Sequence, residues 1–123
     1  GSTFGGYPLA SVVGTYAIKV LVDENLSKNA KKQGDYLITH LKSIMEEFPD
    51  KIKEVRGKGL LTAFEMHESK HLDGHNVSVQ LLNHGVYAKE THRTTVRLAP
   101  ALTIKRGQID RLSDAIRAVI KGL

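Results

Sequence analysis

The run His67-Glu68-Ser69-Lys70-His71 satisfies H-E-x-x-H. On a helix that pattern sets two imidazoles one turn apart as Zn²⁺ ligands, with a glutamate beside them. Here the five residues follow an apolar, strand-like run and lie in a polar stretch with no face to bury. Val77 stands where an extended motif would place a third histidine. Six histidines in the chain make a chance match ordinary. The reading taken is therefore solvated loop histidines with no metal site, and a metal-dependent hydrolase on His67, Glu68 and His71 is the alternative.

Three other groups have chemistry-bearing types. Gly57-Lys58-Gly59 puts two glycines among basic residues, an arrangement that can aim backbone N–H groups at a phosphate. A dinucleotide fingerprint would need a third glycine and a following helix, whereas Leu60 opens a strand, so a plain turn is expected. Gly1-Ser2-Thr3-Phe4-Gly5-Gly6 offers two hydroxyls and three glycines ahead of a helix, which suits a phosphate. On composition alone the favoured reading is a flexible terminus. Arg97 sits between Val96 and Leu98 in a strand. Its planar fork can grip a carboxylate through two parallel hydrogen bonds. Alternation also allows a solvent-facing side chain with Val96 and Leu98 on the buried side, and both readings stand.

The elements that must position these groups follow from periodicity. Leu9, Val12, Val13, Tyr16, Ala17, Val20 and Leu21 mark a helix with Pro8 in its first turn. After a break at residues 23–25, Leu26, Ala30, Gln33, Leu37, Leu41, Ile44, Met45 and Phe48 mark a second, which Pro49 ends. The turn at Arg56-Gly57-Lys58-Gly59 leads into a strand over 60–66. A polar loop over 67–76 precedes a short helix over 77–83, with Asn76 as N-cap and Gly85 as its stop. Strands over 86–90 and 94–98 form a hairpin through Thr91-His92-Arg93. Ile109, Leu112, Ile116, Val119 and Ile120 mark a last helix. The expected fold is α+β: a small antiparallel or mixed sheet of about three strands, helices on one face, and a long N-terminal helical segment.

With 41% hydrophobic and 25% charged residues among 123, the chain has an ordinary globular balance, and disordered or fibrous classes are excluded. Zero Cys removes a disulfide framework, a thiolate metal site and a thiol nucleophile together. The net charge of +5 permits anion binding. The cations are scattered and aromatics are only 6%, which argues against a nucleic-acid platform. No apolar run reaches the ~18 residues of a membrane span, so no membrane partner is expected.

Taken in order, Gly1-Ser2-Thr3-Phe4-Gly5-Gly6-Tyr7-Pro8-Leu9, Val55-Arg56-Gly57-Lys58-Gly59-Leu60-Leu61, Lys89-Glu90-Thr91-His92 and Val96-Arg97-Leu98-Ala99-Pro100 with Leu102 resemble the C-terminal part of a class III, fold-type I aminotransferase dependent on pyridoxal phosphate (PLP). The Lys-Glu-Thr-His run tilts the resemblance toward the ornithine branch, ahead of the acetylornithine and 4-aminobutyrate branches. It implies transfer of the ornithine δ-amino group to 2-oxoglutarate, giving glutamate semialdehyde and glutamate. It also implies a homodimer in which Thr3, with Ser2 beside it, reaches the neighbouring subunit's PLP phosphate, while Arg97 binds a substrate carboxylate. Residues 1–25 would be the phosphate loop and linking helix, and 26–123 the small domain.

The family's cofactor-binding lysine and pyridine-facing aspartate lie upstream, so no catalytic residue is assigned within this chain and the chain alone is expected to be inactive. A cytoplasmic location is expected, or the mitochondrial matrix in a eukaryote. Four departures from the family pattern stand out: Tyr7 replaces the usual Asn, Ala101 the second Pro, Lys105 the usual Ser or Thr cap, and Gly107 an acidic residue of the first turn. They predict a looser turn after Arg97 and a fraying start to the last helix. The alternative outside the enzyme class is a basic anion-binding module.

Overall fold

The computed structural model describes residues 1–69 and 72–123. Its elements are α1 (Pro8–Asp23), α2 (Leu26–Glu47), β1 (Ile52–Lys58), β2 (Leu61–Met66), α3 (Gly74–Asn83), β3 (Lys89–Thr91), β4 (Thr95–Leu98) and α4 (Arg106–Gly122). The sheet has four strands in the order β1-β2-β4-β3, every neighbouring pair antiparallel. The α+β class is as expected and the strand count is one higher. The added strand is β1, part of which the sequence reads as a turn.

Alternation decides which face is buried. Thr62, Phe64 and Met66 of β2 and Val96 and Leu98 of β4 are buried, whereas Leu61 and Arg97 are exposed. The buried face meets one helical layer. From α2 come Leu37, Leu41 and Ile44, from α3 Val77 and Leu81, and from α4 Ile109, Leu112, Ile116, Val119 and Ile120. All belong to one core with Phe64 and Val96. The helical spacing of these residues makes each helix amphipathic, and burying a Leu, Ile or Phe contributes roughly 1.5–3 kcal/mol apiece.

Helix ends follow local chemistry. α2 stops at Glu47, one residue short of Phe48, because Pro49 disfavours helix before it. α3 begins at Gly74 rather than Val77. Its N-cap is Asp73, whose Oδ1 accepts the Asn76 N–H at 2.8 Å, so Asn76 lies inside the first turn and is not the cap. Gly85, at φ +75, follows the helix as the expected stop. The start of α4 has more support than Lys105 alone suggests: Gln108 Oε1 accepts the Lys105 N–H at 2.9 Å, and the Arg106 guanidinium sits 4.3 Å from the centre of the Tyr36 ring.

Helix α1 stands apart. None of its residues is buried, although its only polar positions are Ser11, Thr15, Lys19 and Asp23, a single stripe at intervals of four. Tyr16 is 66% exposed and Val22 68%. A helix apolar over most of its circumference is ordinarily buried, so α1 presents a surface shaped for packing. No helix among the described residues is long and apolar enough to cross a membrane.

Candidate functional site

The face of the sheet turned away from the helices carries the groups of interest. Register places Arg56 opposite Ala63, Ala63 opposite Arg97, and Arg97 opposite Lys89, so these four form one row across all four strands. Arg97 is exposed between buried Val96 and Leu98. The solvent-facing reading and the carboxylate-binding reading therefore share one geometry: the guanidinium projects from an uncovered face. No hydrogen bond or ion pair occupies it among the described residues.

The other arginine of the row is already neutralised. Arg56 Nη1 donates to Glu65 Oε2 at 2.8 Å and to Glu54 Oε2 at 2.9 Å, and Lys53 Nζ donates to Glu65 Oε1 at 2.8 Å. The hydrogen bonds from Lys53 and then Arg56 hold the Glu65 carboxyl below its usual pKa. Lys89 Nζ lies 3.7 Å from Glu90 Oε1, beyond a good hydrogen bond.

Two supports fix the strand that bears Arg97. The β3–β4 hairpin turns through His92 and Arg93, both at positive φ (53 and 55), and the Gly74 N–H of α3 donates to the Arg93 carbonyl. Past the strand, the Ile104 N–H donates to the Ala101 carbonyl at 2.9 Å. Asn29 Nδ2 from α2 donates to the Leu102 carbonyl at 2.6 Å and the Ile104 carbonyl at 3.2 Å. The turn expected to loosen at Ala101 is thus tied to α2. Asn29 carried no signal in the sequence, since only the folded chain brings it to residues 102–104.

Ser2 and Thr3 lie in an exposed loop whose hydrogen bonds are all local: Gly5 N–H to the Ser2 carbonyl at 3.2 Å, and Tyr7 N–H to the Phe4 carbonyl at 3.0 Å. The Thr3 hydroxyl and the N–H groups of residues 2–4 donate to nothing among the described residues. Neutral donors ahead of a 16-residue helix suit a phosphate. That donor set fits the phosphate corner of PLP, and no contact joins this loop to Arg97 among the described residues.

His67 to Ser69 are not helical, and Glu68 pairs with Arg93 at 3.4 Å. His71 lies outside the described residues. Among those described, no group of three His, Asp or Glu side chains could hold a metal ion. Gly57 and Gly59 line a cleft of about 610 Å³ between α2 and the β1–β2 turn, beside Ala30, Gly34 and Ile38. Its Lys31 and Asp35 pair with each other at 3.0 Å; Gly59 makes the turn as expected, whereas Gly57 lies within β1, paired with Thr62.

Comparison with known proteins places this small α+β layer, with its preceding loop and helix, in a family. The family model described as aminotransferase class-III matches residues 1–120, and the chain belongs to that family. It is 39% identical over 123 residues to the mitochondrial ornithine aminotransferase of Oryza sativa subsp. japonica, covering 98% of this chain and 26% of that protein. The crystal structure of acetylornithine aminotransferase from Elizabethkingia anophelis superposes with a TM-score of 0.91 at 37% identity, over 100% of this chain and 32% of that one. The ornithine aminotransferase of Toxoplasma gondii, with PLP partially occupying its active site, matches with a TM-score of 0.89 at 34% identity, over 99% of this chain and 29% of that one. The chain thus spans about a quarter to a third of the length of these relatives.

Proposed function

We propose that the chain works as the small-domain portion of a PLP-dependent aminotransferase, which moves the δ-amino group of ornithine to 2-oxoglutarate and yields glutamate semialdehyde and glutamate. The observation that carries this reading is Arg97, a guanidinium without a partner among the described residues, on the uncovered face of a sheet whose other arginine is neutralised. A planar fork held on a central strand binds and orients a substrate carboxylate. In the proposed dimer, Thr3 and Ser2 hold the PLP phosphate of the neighbouring subunit through hydroxyl and backbone donors. The bound cofactor supplies an electron sink for the substrate amine. The groups that serve its ring stand elsewhere in the longer polypeptide, and residues 1–25 and 26–123 divide the work between phosphate and carboxylate.

Acetylornithine is the second donor reading, favoured by the close superposition on an acetylornithine aminotransferase. Both donors present a carboxylate to Arg97, so the choice rests on the opposite end of the substrate. Full-length enzyme assayed with ornithine, acetylornithine and 4-aminobutyrate against 2-oxoglutarate decides it. The proposal expects the highest kcat/KM for ornithine. A preference for acetylornithine moves the enzyme to that branch, and no transamination with any donor overturns the reading.

A further inference from the structure

We propose that Lys89 recognises carboxylate beside Arg97, so that the uncovered sheet face carries a two-cation site for a dicarboxylic acid. This rests on the reading of Arg97 as a substrate-carboxylate ligand and extends it to the choice between substrates.

The observation is the register of the hairpin. Lys89 is the direct cross-strand partner of Arg97. Side chains so paired have Cβ atoms roughly 5 Å apart on the same face. Two like charges directly opposite each other destabilise a sheet unless an anion sits between or against them. Among the described residues Glu90 is the one carboxylate that pairs with Lys89, and none pairs with Arg97. Glu54 and Glu65 are committed to Arg56 and Lys53; Glu65, opposite Thr95, is the diagonal neighbour of Arg97, but its two oxygens accept from Lys53 and Arg56. Glu90 lies 3.7 Å from Lys89 and 3.8 Å from His75, ion-pair distances too long for a good hydrogen bond, so its hold on Lys89 is weak and shared. By register, Glu90 pairs with the buried residue Val96, so its backbone position points it to the helical side of the sheet.

The pair has a consequence for selectivity. A dicarboxylate such as 2-oxoglutarate brings a second negative charge for Lys89 to attract, while ornithine, with a single carboxylate, brings none. Arg97 then serves every substrate carboxylate, and Lys89 favours the amino acceptor over the donor. Lys89 side-chain exposure of 58% keeps the attraction modest and salt-dependent.

The test is steady-state kinetics of the full-length enzyme carrying Lys89→Ala, Lys89→Arg or Arg97→Ala, at low and at moderate salt. Lys89→Ala is expected to raise the KM for 2-oxoglutarate roughly two- to five-fold, with the loss falling on KM rather than kcat. The KM for ornithine should not rise, Lys89→Arg should restore the 2-oxoglutarate value, and added salt should narrow the difference. The proposal is overturned if Lys89→Ala leaves the KM for 2-oxoglutarate unchanged while Arg97→Ala raises it. If neither variant changes it, the reading of Arg97 fails, and this inference with it.

Discussion

The backbone of Gly59 occupies the space that a Cβ on Gly34 would need. Helix α2 therefore lies directly against the β1–β2 turn, and Gly59 takes φ +57 to make that turn. The contact sets how α2 sits over the sheet that presents Arg97. Gly34→Ala is expected to cost about 1–3 kcal/mol or more, because backbone rather than a flexible side chain must move. Gly107→Ala, in α4 with nothing within 4 Å of its Cβ position, should gain roughly 0.5–1 kcal/mol. Chemical denaturation of the two variants checks the contrast, and equal midpoints would contradict it.

A second prediction concerns the hairpin tip. Arg93 holds φ 55 with a long side chain, a left-handed conformation that costs a non-glycine residue energy. Its one ion pair among the described residues, to Glu68 at 3.4 Å, joins side chains 78% and 70% exposed and adds little. Arg93→Gly should stabilise the protein by about 0.5–1 kcal/mol, read as a rise in Tm. A fall in Tm would show that the side chain does more than the geometry gives it.

Charge on the uncovered face makes stability pH-dependent. The Glu65 carboxyl lies below its usual pKa because Lys53 and Arg56 donate to it. A depressed folded-state pKa contributes stability above the unfolded value, about 4.3 for Glu, and loses it as pH falls through the folded value. The gap in denaturation midpoint between the wild-type protein and Glu65→Gln should be widest near neutrality and close as the pH drops through that range. A gap that stays constant down to pH 3 would contradict the assignment.

Helix α1 predicts behaviour in solution. With Leu9, Val13, Tyr16 and Val20 all exposed, the isolated chain should self-associate as concentration rises, since apolar patches of this kind mark interaction surfaces. Light scattering of the chain and of a Val13→Glu, Tyr16→Glu double variant reads this directly. A monodisperse wild-type monomer at high concentration would overturn it.

Legibility in the sequence tracked the strength of each period. The stripes of α2 and α4 are long and strongly amphipathic, and both helices form where the spacing places them. β1 escaped notice because the register shifts between Ile52 and Glu54. Its two apolar residues, Ile52 and Val55, then fall three apart instead of two, and only pairing with β2 makes the segment a strand. The place of Arg97 on the face opposite Val96 and Leu98 was readable from alternation. That this face is left uncovered agrees with the expectation of helices on one face, and α2, α3 and α4 supply that layer while α1 stands apart. Lys89 was hidden by the turn: a loop at 91–93 would set Tyr87 opposite Arg97, while the actual pairing of Thr91 with Thr95 brings Lys89 there.

The central claim is that Arg97 holds a substrate carboxylate, and the most direct measurement is the KM for 2-oxoglutarate of full-length Arg97→Lys enzyme. Losing a bidentate, charge-assisted pair should raise it roughly 10- to 100-fold, with lysine unable to substitute as a point charge. A KM equal to that of the wild-type enzyme would contradict the account.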